Sequence, residues 1–205
     1  MSAIKIFILI AGAFCLFFAA LLYYSTDSGR SATRVSPVWN EKRHMLTDEM
    51  AHFSMLLPTD WNIAVNGIRQ MSQEEEIVKV SHSSNPGNFS ITIYYRYLEN
   101  PFKMGPQDAK VWLRSQAELK TQRRISTRIN YIIDSTSVKD IIICGSPALS
   151  WSCRYDTYDG MHWSETLTRI MLENANILVF ANGPQSEIVD MQATIERVAS
   201  SISKL

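Results

Sequence analysis

The stretch Ile4 to Tyr24, IKIFILIAGAFCLFFAALLYY, constrains this chain more than any other. It carries one charge, Lys5 at its edge, and is otherwise apolar, aromatic or small. At about 1.5 Å per residue, a helix of this length crosses a hydrocarbon core of about 30 Å. The sequence beyond Tyr24 is too polar to follow it into lipid. The expected organisation is therefore a membrane anchor over residues 1–25, a linker over 26–49 and one folded domain over 50–205.

A cleavable secretory signal has an apolar run of about 7–15 residues, with small residues before the cut. Here the run is longer, and Phe17 and Phe18 stand upstream of Ala19 and Ala20 where a small residue is required. Thr26-Asp27-Ser28 is a weaker cleavage site, and lipidation of Cys15 meets the bulky Phe14 before it. An uncleaved anchor is the expectation, with a cleaved signal and a lipidated Cys15 as the alternatives. Lys5 and the free amine favour a cytoplasmic N-terminus, while Arg30, Arg34, Lys42 and Arg43 argue the opposite. A short tail before a long apolar run still has the form of an export signal. The expectation is a single pass through the inner (cytoplasmic) membrane, with the C-terminal domain exported into the periplasm.

About 180 residues follow the anchor, enough for one domain with its own core. The charges balance, with 20 basic and 20 acidic residues, so no global field points to nucleic acid. Ser25 to Glu49 is rich in Ser, Thr and Arg and reads as a solvated linker, its basic residues able to lie against anionic headgroups.

Within the domain, Phe53, Met55 and Leu57 alternate and Pro58 stops them, the pattern of a half-buried strand. Trp61 is expected to fold back after the Pro58-Thr59-Asp60 turn and plug the core. Glu74, Glu75 and Glu76 lead into a strand near Ile77 to His82, and a solvated strand entry is favoured there over a cation site. Asn85-Pro86-Gly87-Asn88 is a turn signal. It makes a hairpin of that strand and the next, Phe89 to Leu98, where Phe89, Ile91, Ile93, Tyr95 and Tyr97 share a face opposite Ser90, Thr92, Tyr94 and Arg96. Asn88-Phe89-Ser90 fits a glycosylation sequon.

Gly105-Pro106 opens a helix to about Arg124, with Ala109, Trp112, Leu113, Gln116 and Leu119 as its inner stripe. Strands are expected from Ile129 onward. Leu149, Trp151, Cys153 and Tyr155 fall on one face, Asp156 to Gly160 form a turn, and further strands run near His162 to Leu172 and Asn176 to Ala181. A calcium loop at Asp156 and Asp159 is disfavoured because the later acidic ligands are missing. The last element is a helix from Ser186 to Ser203 with Ile188, Met191, Ile195, Val198 and Ile202 as one stripe. The fold class is α+β, an antiparallel sheet covered by two helices.

Phe53-x-Met55-x-Leu57-Pro58-x-x-Trp61 resembles the opening of the PsbP-like superfamily, whose first strand ends in a Pro shortly before a Trp. Gly145-x-Pro147-Ala148 is similar to that family's turn between antiparallel strands, and the closing helix with Ser200 and Ser201 resembles its last helix. Asp60 departs from the pattern, which commonly has Gly before the Trp. The resemblance spans residues 50–205 and implies an α/β/α sandwich. Its bacterial, DcrB-like branch further implies an exported, often membrane-tethered module without assigned chemistry. No family ligand residue maps onto this chain.

His44, His52, His82 and His162 lie outside helical ligand spacing of one another, and no hydrolase, phosphate-loop or dinucleotide motif is present. No catalytic, cofactor-binding or metal-binding residue is assigned, and no cofactor is implied. For Cys144 and Cys153, a turn at Gly145-Ser146 pairs Cys144 with Pro147 and Cys153 with Val138. The sulfurs then stand about 20 Å apart, at about 3.3 Å per residue, beyond disulfide reach. Two buried thiols are expected, with a bridge as the alternative if the register differs. The functional expectation is a noncatalytic interaction or assembly module, tethered to the membrane through Ile4 to Tyr24 and docking a membrane or envelope protein. The alternative is an exported small-ligand-binding protein or enzyme.

Overall fold

The computed structural model describes residues 37–49, 51–65, 75–82, 88–97 and 104–205. The Ile4–Tyr24 stretch, Cys15, Glu74 and residues 85–87 of the expected turn lie outside them. Among the described residues no helix is long and apolar enough to cross a membrane.

Two antiparallel sheets form. The smaller contains β1 (Val38–Asn40), β2 (Met45–Asp48), β3 (Phe53–Leu56) and β11 (Ser203–Lys204), in that spatial order. The larger is built from β4 (Trp61–Val65), β5 (Glu75–His82), β6 (Ser90–Tyr97), β7 (Ile129–Ile143), β8 (Ser146–Asp156), β9 (His162–Met171) and β10 (Ala175–Pro184). Its order is β4-β5-β6-β10-β9-β8-β7, which leaves β4 and β7 as the outer strands among the described residues. Helix α1 (Pro106–Ile125) lies between β6 and β7 in sequence, and α2 (Gln185–Asp190) and α3 (Gln192–Ser200) follow β10.

Side-chain alternation decides what covers each face of the large sheet. On one face Leu149, Trp151 and Cys153 of β8, Leu167 of β9 and Leu178 of β10 are buried with Leu113 of α1. On the other, Ile91 and Ile93 of β6, Ile170 of β9 and Ile177 and Val179 of β10 are buried with Phe53 and Met55 of the small sheet and Ile188, Ile195 and Val198 of α2 and α3. Each fully buried side chain of this size contributes about 1.5–3 kcal/mol. One helix thus covers one face, while a broken helix and the small sheet share the other.

Several expectations change in detail. Val38–Asp48, inside the expected linker, forms β1 and β2: Leu46 is fully buried, and the buried Asp48 accepts the Ala51 N–H at 2.9 Å to close the turn into β3. The closing helix breaks at Met191 (φ −94°, ψ 2°) and stops at Ser200, and the chain then pairs Ser203 with Ser54. Four of the five residues of the expected stripe, Ile188, Ile195, Val198 and Ile202, are buried, while Met191 at the break is half-buried. On α1, Leu119 is 49% exposed, because the stripe set by Ala109 and Leu113 continues through Ala117 and Thr121 at four-residue steps. Trp61 opens β4 and packs against the core from its margin rather than inside it, half-buried with its ring edge-on to Phe89 at 5.4 Å.

The cysteine register also shifts. The β7–β8 turn is Cys144-Gly145, with φ 45° and 76°, the left-handed pair that a two-residue hairpin requires. Ile143 therefore pairs with Ser146. A bulge then sets residues 135–138 of β7 against Trp151 alone, so Cys153 lies opposite Ile133 rather than Val138. Both cysteines are free; Cys153 is buried, but Cys144 is only half-buried at the turn.

Candidate functional site

The candidate site is the outer strand β7 together with the ionic cluster that holds its first half on the sheet. Strand β9 alternates Glu165, Leu167, Arg169 and Met171 toward α1 with Ser164, Thr166, Thr168 and Ile170 away from it. Glu165 is fully buried on the α1 side. Above it, α1 ends where the Ser126 hydroxyl donates to the Arg123 carbonyl at 2.8 Å and the Thr127 and Arg128 N–H groups return to the Arg124 carbonyl at 2.9 Å. This end carries Arg124 and Arg128 over the sheet, their guanidinium groups 3.9 and 3.7 Å from Glu165 Oε1. Those distances are ionic contacts, not hydrogen bonds, and Oε1 makes no hydrogen bond.

Tyr131 of β7 donates its hydroxyl to Glu165 Oε2 at 3.4 Å. Its ring stacks on Tyr155 at 6.2 Å, and the Arg128 guanidinium lies 4.4 Å from the Tyr155 ring centre. Tyr155 in turn donates to Asn182 Oδ1 at 2.9 Å. Further up α1, Lys120 stands 5.0 Å from the Phe180 ring and 5.7 Å from that of Tyr94. Burial first, and then a hydrogen bond with the Cys153 thiol, pushes the Tyr131 phenol well above its usual range. Burial likewise pushes the Cys153 thiol up to about 11. Both shifts favour the neutral forms of the hydroxyl and the thiol.

Strand β7 has β8 on one side and, among the described residues, no strand on the other. Two irregularities interrupt it. Asn130 adopts a left-handed backbone (φ 50°) and donates from Nδ2 to Asp156 Oδ2 at 2.6 Å. The bulge at 135–138 is held by Asp134 Oδ1, which accepts the Thr136 N–H at 3.0 Å, and by Ser137 Oγ, which accepts the Ser152 N–H at 2.7 Å. Past the bulge, Arg114 of α1 pairs with Asp140 at 2.9 Å, and Ile142 is 64% exposed.

The histidines are dispersed. His44 and His52 lie in left-handed turns of the small sheet, and His162 pairs with Asp156 at 2.7 Å. Among the described residues no three His, Cys, Asp or Glu side chains converge on a common point. Tyr94 is half-buried against Phe180 under Lys120, whereas Arg96 is exposed. Glu165 escapes sequence reading. The alternation of Glu165, Leu167, Arg169 and Met171 hints at charge on a buried face, but nothing local names Arg124, Arg128 and Tyr131 as its neighbours.

No known protein family and no curated protein matches the sequence. The fold is similar to the solution structure of cyanobacterial PsbP (CyanoP) from Synechocystis sp. PCC 6803, at TM-score 0.55 and 10% identity, covering 85% of this chain and 96% of that one. It is also similar to LpqN of Mycobacterium tuberculosis, a protein involved in cell envelope biogenesis, at TM-score 0.53 and 11% identity, covering 74% of this chain and 82% of that one. Identities this low speak for architecture alone: the chain has a PsbP-like α+β fold.

Proposed function

We propose that this chain is a membrane-tethered, noncatalytic interaction module, anchored by Ile4–Tyr24 in the inner membrane with its domain on the exported face, where it docks an envelope protein through β7. The observation that carries this reading is the outer position of β7 among the described strands, with Ile132 57% and Ile142 64% exposed on it. An outer strand offers its free N–H and C=O groups to an extended segment of a partner, and an exposed apolar side chain beside them supplies an anchor. The bulge at 135–138 breaks the edge into two short stretches, which restrains pairing with another copy along its whole length. Lys139–Ile143 then remains as a regular docking strip next to α1. A fold shared with an envelope-biogenesis protein is compatible with this role.

Crosslinking in native membranes followed by capture tests the proposal. The full chain is expected to capture a specific envelope protein, which is lost when residues 1–25 are deleted and reduced severalfold by Ile142→Lys. An unchanged capture profile for Ile142→Lys removes β7 from the reading. Equal capture without residues 1–25 removes the tether from it, and no specific partner at all overturns the interaction role.

A further inference from the structure

A separate cavity of about 530 Å³ opens where three chain reversals meet, away from β7. The first is the short 3-10 turn Glu41–Arg43, closed by His44 in a left-handed conformation (φ 47°). The second is the β3–β4 turn through Pro58, Thr59 and Asp60, and the third is the break between α2 and α3 at Met191. The volume falls within the range of about 300–1,000 Å³ usual for small-molecule sites.

Its lining is divided by chemistry. Leu57 and Val198 are buried at its floor, and Trp61 and Met191, both half-buried, add an aromatic face and a pliable thioether. The rim carries two exposed guanidinium groups, Arg43 and Arg197, against one carboxylate, Asp60. Among the described residues neither arginine makes an ion pair. His44 adds an imidazole to the wall, and its solvent-shielded Nδ1 makes no hydrogen bond. An apolar floor under a net positive rim fits a molecule with an apolar body and one negative end. Guanidinium groups hold carboxylates through charge-assisted, often paired hydrogen bonds. Asp60 on the same rim disfavours a second negative charge.

We infer that this cavity binds a small amphiphilic monocarboxylate, with Arg43 and Arg197 holding the carboxylate and Leu57, Trp61, Met191 and Val198 enclosing the apolar body. The cavity is built by both ends of the domain, because β3 and α3 contribute to it together. Occupancy therefore ties the closing helix to the first strands. This site is independent of the β7 edge, so either assignment can stand or fall alone.

The test uses the full chain in nanodiscs of neutral lipid, with equilibrium binding of labelled octanoate and subtraction of empty nanodiscs. Saturable binding is expected, weakened at least about tenfold by Arg43→Gln with Arg197→Gln, the effect of losing about one charge-assisted hydrogen bond. Arg43→Gln alone, which leaves α2 and α3 untouched, is expected to give part of that loss. Octanol is expected to compete poorly and inorganic phosphate not at all. Binding no greater than in empty nanodiscs, or unchanged in the double variant, overturns the inference. Equal competition by octanol reduces it to partitioning, and full competition by phosphate reassigns the rim to a free inorganic anion; either result also overturns it.

Discussion

The Ser201 hydroxyl accepts the Leu56 N–H at 2.9 Å, with the Val198 carbonyl at 2.7 Å and the Leu56 carbonyl at 3.2 Å positioned to take its proton. The end of α3 is thereby fastened to β3, and the pairing continues through Ser54 and Ser203, whose hydroxyls lie 2.9 Å apart. Replacing Ser201 with Ala leaves the Leu56 N–H without this acceptor and is expected to cost about 1 kcal/mol. Urea denaturation checks it. A variant as stable as the parent, with unchanged slope, shows that the fastening carries no net energy.

Gly183 illustrates a requirement that no local pattern announces. It lies in β10, and a Cβ there would stand 2.9 Å from the Asn88 carbonyl oxygen and 3.2 Å from Phe89 Cα. Both are backbone atoms at the entry of the neighbouring β6, so little can move aside. Gly183→Ala is expected to destabilise by about 1–3 kcal/mol through overpacking. Gly145→Ala, by contrast, meets nothing within 4 Å and is penalised only for its φ of +76°. A melting temperature lowered less by Gly183→Ala than by Gly145→Ala contradicts the steric account.

What was legible in the sequence is what periodicity encodes. Phe53, Met55 and Leu57 announce a strand and are buried, and of the stripe Ile188, Met191, Ile195, Val198 and Ile202 all are buried but Met191, which sits half-buried at the helix break. The strands on either side of the expected Asn85–Asn88 turn pair antiparallel, as that turn signal predicts. Short strands were illegible, since β1 and β2 have three and four residues and charged neighbours that read as linker. Their cohesion comes from pairing with β3, which in turn depends on β11 and the far end of the chain. The register of Cys153 was missed for a related reason: side-chain contacts, not turn residues, fix the bulge that displaces it. Glu165 and its arginines lie on different elements, so only the folded chain joins them.

Cys153 gives a pH prediction. Burial, partly opposed by its hydrogen bond to Tyr131, raises its thiol from near 9 to about 11 in the folded chain. A group raised on folding lends stability in full below its unfolded value, and that stability is lost as pH rises toward the folded value. The fold should therefore weaken between about pH 9 and pH 11, by about 2–3 kcal/mol from this group. Tyr131 is shifted in the same direction, so the informative quantity is the difference between the parent and Cys153→Ala. Urea midpoints measured across this window should fall less steeply for the variant, and parallel profiles would sink the assignment.

Glu165 and its two arginines predict an asymmetry. The Arg124 and Arg128 side chains are 28% and 30% exposed, whereas that of Glu165 is fully buried. After Glu165→Gln, both guanidinium groups can turn to water and Tyr131 still has an acceptor, so the expected cost is about 1 kcal/mol. Arg124→Ala with Arg128→Ala instead leaves a buried carboxylate without its cations, expected to cost about 3–5 kcal/mol. Part of that larger loss is packing on Phe180 and Tyr155, and adding Glu165→Gln to the double variant separates the two contributions. If the ionic cluster holds the end of α1 and the first half of β7 in place, the triple variant should recover most of the loss. If it is no more stable than the double variant, ring packing accounts for the cost and Glu165 is not the group the arginines serve.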